Sequence, residues 1–325
     1  MTKFYPLKLN FVSKSPIWGG VRLIREWNKE THAETVGESW ELTVRSSEMN
    51  RVQNGMFAGK SLGELIGQNR DSVMGKSTGD AQNFPLLIKF IDAADRLSVQ
   101  VHPDDAYAAR VENDRGKTEV WYIVQADEGA EIICGLADGV TRRDYEKAVR
   151  EGMPEAALRH QKVRAGETYF IPSGLPHAIG KGILIAEIQQ NCDLTYRVYD
   201  YGRRDKDGNL RELHVEKALD VIRPFSDKEI ETIRYERSGG RCDSTDVLAD
   251  CRYFRVERVQ VTGETPTELP ACPYLRHLLC LDGAGELLCG AHTEPFAKGD
   301  SVLLPATLEK VVLRGAGSFL LSTAY

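Results

Sequence analysis

No stretch of the 325 residues is apolar for long enough to cross a bilayer; the longest such runs, Phe84 to Phe90 and Val120 to Val124, are short or broken by Lys89. The opening MTKFYPLKLNFVSK places Lys3, Pro6, Lys8 and Lys14 where a secretory leader needs an unbroken apolar core, so a mature cytoplasmic chain is expected. Charge of one sign is nowhere concentrated. With 42 Lys plus Arg against 48 Asp plus Glu, the formal charge is −6, and no block of five like charges occurs. A general nucleic-acid binder and a membrane-surface protein are both disfavoured, and nothing suggests an obligate protein partner. Cysteine is never spaced Cys-x-x-Cys. The seven thiols (Cys134, Cys192, Cys242, Cys251, Cys272, Cys280, Cys289) are odd in number, which excludes a fully paired disulfide framework and a thiolate zinc finger. Five of them lie beyond residue 240 and read as small buried apolar groups of a β core.

Regular alternation of strands with crossover helices is also missing. What is present is a series of short β-rich runs: Ser39 to Val44, Leu86 to Ile91, Leu97 to Val101, Val120 to Val124, Glu131 to Cys134, Thr168 to Ile171, Ile183 to Ile188, Phe254 to Val261, Leu275 to Leu281 and Ser301 to Leu304. Helical pattern is confined to Leu62 to Ile66, Asp104 to Glu112, Arg142 to Arg150, Glu155 to His160 and Leu213 to Ile222. Strands separated by Gly and Pro turns predict a mainly β protein of sandwich or jelly-roll barrels with a few short decorating helices. The length suits two domains. An internal repeat supports that division: Gly166 to His177 (GETYFIPSGLPH) and Gly299 to Lys310 (GDSVLLPATLEK) share a Gly, five residues, a Pro, and a last position five further on. That position is His in the first copy and Lys in the second, so the second has lost a ligand. The polar stretch Phe225 to Cys251 is the expected boundary, giving a catalytic metal-binding domain at 1–240 and a degenerate, metal-free β domain at 241–325.

Gln100 and His102 are two apart in LSVQVHPDD, so on a strand both face one side while Val99 and Val101 face the other. Lys117 and Glu119 repeat that spacing at the entry to the next strand, and His177 follows a Pro-bounded turn. Gln100, His102, Glu119 and His177 offer an amide oxygen, a carboxylate and two imidazoles. Such a set suits one borderline divalent metal with room for substrate, zinc first, and the lack of thiolates argues against a purely structural site. A lone His in a β protein is more often a hydrogen-bonded core or surface group, and that reading is taken for His32, His160, His214, His277 and His292. The Gly116-Lys117-Thr118 triplet is not a phosphate loop, because position 111 is Val. Lys117 is either a solvated lysine or a group at the barrel mouth that meets an anion or relays a proton. In AEIQQNCDLTYRVYDYGRRD, Glu187, Asp193 and Arg197 could bring a carboxylate and a guanidinium to the metal, while Arg203 and Arg204 read as a surface charge network. Trp18 is either plain core or the wall of a sugar pocket, with Gly19 and Gly20 permitting close approach.

The Gly-x5-Pro-x-Gly-x2-His frame resembles the second cupin motif. LSVQVHPDD, GKTEVWYIV, GETYFIPSGLPHAI and DLTYRVYDYGRRD, with PIWGG and GESWEL upstream, resemble the short form of type I mannose-6-phosphate isomerase from residue 5 to about residue 215. The resemblance implies two cupin-type barrels and one Zn2+ per chain. It implies a sugar-phosphate substrate, mannose 6-phosphate interconverted with fructose 6-phosphate through a cis-enediol. It assigns Gln100, His102, Glu119 and His177 to the metal, Arg197 to catalysis and Lys117 to the pocket, with Trp18, Glu38, Lys89, Ser98, Glu187 and Asp193 around the substrate. Glu187 and Lys117 are then the alternative bases, and Lys89 assisted by Ser98 is expected to meet the phosphate. The chain differs from longer members in lacking a helical insertion between the barrels, and its YRVYDYGRRD departs from their arginine segment. Two other readings stay open: an iron-dependent cupin dioxygenase, against which the amide ligand tells, and a non-catalytic sugar-phosphate sensor, for which no DNA-reading pattern is seen.

Overall fold

A computed structural model describes residues 3–45, 48–205, 207–235 and 243–325. It is mainly β, as the sequence pattern predicts, with cupin-type antiparallel sheets and short peripheral helices. A seven-stranded sheet runs in the order Arg234–Tyr235, Thr168–Ile171, Glu119–Ala126, Ile183–Gln190, Leu86–Ala93, Glu38–Leu42, Val12–Lys14. A five-stranded sheet runs Tyr196–Tyr199, Val99–Val101, His177–Ile179, Glu131–Leu136, Leu158–Lys162. The third sheet, of eight strands, is built on two long strands, Arg276–Cys289 and Val311–Ala324. It also recruits Leu7–Leu9 from the start of the chain, which pairs with Ser301–Leu304.

Period-2 alternation explains how the sheets stack. Along Ile183–Gln190 every residue is buried. Ile183 and Ile185 join the core shared with Ile123, Ile179 and Trp121, while Leu184, Ala186 and Ile188 join the core shared with Leu278, Phe254 and Leu303. The central sheet is therefore covered on both faces, which is why its strands read as continuous apolar runs rather than alternating ones. Burying one such aliphatic side chain contributes about 1.5–3 kcal/mol. The five-stranded sheet turns Val99, Val101 and Ala178 outward onto Tyr145, Val149 and Leu219 of helices Arg142–Arg150 and Val215–Val221. Its other face, with Gln100 and His177, is left for the barrel interior.

The repeated frame recurs in three dimensions. Gly166 and Gly299 both have positive φ (93° and 88°), and each leads after one residue into a four-residue strand, Thr168–Ile171 and Ser301–Leu304. His177 then opens a strand in the first copy. Lys310 precedes one in the second and pairs on the surface with Glu268 at 2.6 Å.

Some elements differ from the sequence pattern. Glu155 to His160 is not a helix: a 3-10 turn, Glu155–Ala157, gives way to strand Leu158–Lys162 on Glu131–Leu136. The turn has Pro154 at its cap position and no side chain to cap its free N–H groups, so strand pairing captures the chain after one turn. The expected polar boundary holds helix Asp227–Ile233 and edge strand Ser244–Asp250, whose half-exposed face hides it from a hydrophobicity reading. Residues 236–242, Cys242 among them, lie outside the described residues. The other six cysteines are free. Among the described residues no helix is long and apolar enough to cross a membrane.

Candidate metal centre and pocket

Three neighbouring strands of the five-stranded sheet set the first half of the site. Gln100 stands opposite His177 on one side and opposite Arg197 on the other, so the three side chains form one inward row. His102 follows as the chain leaves Val99–Val101. It is anchored by its carbonyl, which accepts from Gly174 N–H at 2.9 Å, and by Pro103, whose carbonyl accepts from Lys117 N–H at 3.0 Å. The glycine of the Gly-Lys-Thr triplet has its explanation here: a Cβ on Gly116 would lie 2.5 Å from Asp105 N, so only Gly lets this segment approach. The facing sheet supplies Glu119, and beside it the cross-strand row Lys89, Glu187, Trp121.

His102 Nε2 and His177 Nε2 lie 3.2 Å apart, and each is 3.5 Å from an oxygen of Glu119. All three side chains are 1% exposed or less. The two 3.5 Å separations fall within the edge lengths of about 3.3–3.6 Å expected of ligand atoms around a tetrahedral ion with bonds of about 2.0–2.2 Å, and the 3.2 Å one lies just below them. His177 Nδ1–H donates to Leu175 O at 2.8 Å, which fixes the tautomer and leaves the Nε2 lone pair facing inward. Neither carboxylate oxygen of Glu119 has a hydrogen-bond donor, although both are buried; Lys117 Nζ stands 3.4 Å from one of them as an ion pair. A fully desolvated carboxylate without a donor is costly unless a cation completes it, so the residues present fit a metal. Gln100 Nε2 lies 3.3 Å from His177 Nε2. Turning the amide over presents its oxygen at the same place, which is the orientation a cation selects. Among the described residues this is the group of His, Cys, Asp and Glu side chains whose ligand atoms close up to within 4.8 Å.

Beside the centre lies a cavity of about 150 Å³. Trp18, Glu38, Lys89, Ser98, Gln100, Lys117, Glu187, Asp193 and Arg197 all line it, so the structure gathers the sequence-derived pocket residues around one space. Lys89 Nζ is 3.3 Å from Glu38, 3.6 Å from Glu187 and 3.9 Å from Asp193. Burial alone would lower the Lys89 pKa, but Glu38, Glu187 and Asp193 together push it up. Lys117 is likewise raised, Glu119 and Glu187 outweighing desolvation. Burial and the nearby Glu119 charge raise Glu187 above the usual carboxylate range, while at Glu38 burial raises the pKa and Lys89, the Trp40 hydrogen bond and Lys117 together bring it below the usual value. Desolvation depresses both imidazoles, His177 to about 4 and His102 well below its ordinary value, with Lys117 adding to the effect. Both rings are neutral and free to donate lone pairs.

Arg197 donates to Glu212 O at 2.8 Å, while its Nε is buried without a partner; desolvation and the neighbouring Arg211 lower its pKa. Arg211 also lines the cavity, held through Nε by Asp200 Oδ2 at 2.7 Å. Sequence reading missed it, because Arg211 reaches the pocket through a loop return that no local spacing reveals. Also missed were Trp40, which donates to Glu38 at 2.7 Å, and Trp121, which donates to Glu187 at 3.0 Å. Arg204 bonds Gly208 O at the surface, whereas Arg203 is only 15% exposed and pairs with the buried Asp200 as well as with Asp95, so it is more enclosed than a surface charge network.

The chain matches the family models described as phosphomannose isomerase type I, catalytic domain, over residues 7–119, and mannose-6-phosphate isomerase, cupin domain, over residues 243–324. It is 39% identical to the mannose-6-phosphate isomerase ManA of Bacillus subtilis strain 168 over 98% of either chain. It is 38% identical to the mannose-6-phosphate isomerase of Streptococcus mutans over 94% of this chain and 93% of that one. The crystal structure of a mannose 6-phosphate isomerase from Bacillus subtilis superposes with a TM-score of 0.87 at 34% identity, covering 98% of this chain and 99% of that one. A mutant phosphomannose isomerase from Salmonella typhimurium, at 14% identity and a TM-score of 0.79, shares the fold over 98% of this chain and 99% of that one. With the folded site and near full-length similarity agreeing, the chain belongs to the mannose-6-phosphate isomerase family.

Proposed function

We propose that the chain interconverts mannose 6-phosphate and fructose 6-phosphate, with one Zn2+ held by Gln100, His102, Glu119 and His177, through a cis-enediol. The observation that carries this reading is a buried, donor-less Glu119 within 3.5 Å of His102 and His177, next to a cavity lined by Gln100, Glu187, Arg197 and Arg211. Held by these residues, a metal would supply positive charge to stabilise the negative charge that develops on the sugar oxygens. Glu187 removes the proton from C2; the C2–H electrons form the C1–C2 double bond, and the carbonyl oxygen at C1 takes up a proton. Returning the carbon-bound proton to C1 while the O2 hydroxyl loses its own gives the ketose, so no atoms or electrons are gained. Lys117, buried and cationic, and Arg197 face the oxygens on which charge develops. Lys89 is already surrounded by three carboxylates and holds Glu187 in place. The phosphate is therefore assigned to Arg211, the remaining cation of the cavity lining, with Ser98 and Trp18 bordering the sugar. The division at residue 240 into a catalytic and a metal-free domain belongs to the same proposal.

The test is metal content together with a coupled assay on mannose 6-phosphate before and after chelation. One zinc per chain, loss of turnover on chelation and recovery on zinc addition are expected. Full turnover without metal, or tight sugar-phosphate binding with no turnover, would contradict the proposal.

A further inference from the structure

Trp121 touches two parts of the site at once. Its strand turns Glu119, Trp121 and Ile123 to the same interior face, and the register sets Trp121 directly beside Glu187. Its indole Nε1–H donates to Glu187 Oε2 at 3.0 Å, and its ring meets the His177 ring edge-on, centroids 5.3 Å apart at 78°. Both Trp121 and Glu187 are buried, and Glu187 Oε1 has no hydrogen-bond partner, with Lys89 Nζ 3.6 Å away.

From this geometry we infer that Trp121 is a positioning residue: it holds Glu187 Oε2 so that Oε1 is the oxygen that meets the substrate proton. The inference rests on the assignment of Glu187 as the base. An indole N–H can donate but cannot accept, so it fixes the carboxylate without offering the proton a second acceptor. The donated bond also makes Oε2 the less basic oxygen, and it opposes rotation of the carboxyl group about its χ3, a broad torsion that packing alone restrains weakly. The edge contact with His177 ties that carboxylate to the metal side of the cavity, where sub-ångström placement governs proton transfer.

The experiment is a double-mutant cycle on the zinc-loaded protein with W121F, E187Q and the combined variant, reading kcat, KM and bound metal. Phenylalanine keeps an aromatic ring against His177 and removes the donor. W121F is expected to lower kcat by about tenfold to a hundredfold with KM and bound zinc unchanged. In the E187Q background the same replacement is expected to cost nothing further, because its effect passes through Glu187. An equal loss in both backgrounds, or a loss explained by zinc depletion, would overturn the inference and leave Trp121 a packing residue. Undiminished kcat in E187Q alone would instead overturn the assignment of Glu187 as the base.

Discussion

Lys89 and Glu187 occupy directly opposed positions on neighbouring antiparallel strands, and their charges meet 3.6 Å apart in the barrel interior, each side chain 4% exposed. Glu38 approaches the same ammonium from the next strand at 3.3 Å. Removing the cation would leave a buried carboxylate, Glu187, and a partly exposed one, Glu38, without their shared counter-ion.

Lys89→Met is accordingly expected to destabilise the fold by about 3–5 kcal/mol, the range for breaking one side of a buried ion pair. Urea unfolding measures this, and Glu38→Gln added to Lys89→Met should recover part of the loss. An unchanged midpoint in the single variant would show that the pair is solvated.

His177 packs among Trp121, Leu175 and His102, yet its Nε2 faces the other ligands rather than the core. His177→Ala is expected to abolish turnover and release the metal with circular dichroism and melting largely retained. Global unfolding of that variant would mean that the centre is structural.

The convergence of Gln100, His102, Glu119 and His177 was legible because β geometry converts short spacings into shared faces. Gln100 and His102, two apart, do face inward while Val99 and Val101 pack outward, and the Pro172 turn delivers His177 beside them. Lys89 stood out in sequence as a charged interruption of an apolar run, and Glu187 as a carboxylate close after His177 and before Arg197. What stayed hidden was set by long-range pairing. Arg211 enters through a loop held by Asp200, and Trp40 and Trp121 look like ordinary strand aromatics until their indole nitrogens are seen to meet carboxylates. Strand His292–Ala297 is recruited by pairing with Arg276–Cys289 rather than by a strongly apolar face of its own.

Gly116 bears on the site through packing. A Cβ there would meet Asp105 N at 2.5 Å and the Asp104 carbonyl carbon at 2.6 Å, both main chain. Gly116→Ala is expected to cost about 1–3 kcal/mol by overpacking and to lower kcat by shifting Lys117. A variant with wild-type stability and kcat would show that the contact relaxes freely.

His277 joins the two halves of the fold away from the metal. Its Nε2 is 2.7 Å from Ser301 Oγ, which donates to Glu41 O at 2.7 Å, and Lys29 and Glu41 form a buried pair beside it. Burial, with the Lys29 charge adding to it, pulls the His277 pKa down to about 3. The unfolded imidazole titrates near about 6.5, so the folded form resists protonation. Its stability contribution is full above that pH and is lost progressively as pH falls toward about 3. The slope is on the order of 1 kcal/mol per pH unit. Urea midpoints between pH 6.5 and 4 are expected to fall less steeply in His277→Gln than in the parent chain, the reverse being evidence of a charged, paired His277.

The proposed centre has four side chains sharing one ion. Crystals of protein purified without chelator, measured on either side of the zinc absorption edge, test it most directly. A single anomalous peak bonded to His102 Nε2, His177 Nε2, Glu119 and Gln100 is expected. No peak among these atoms, or a bound metal held elsewhere on the chain, would contradict it.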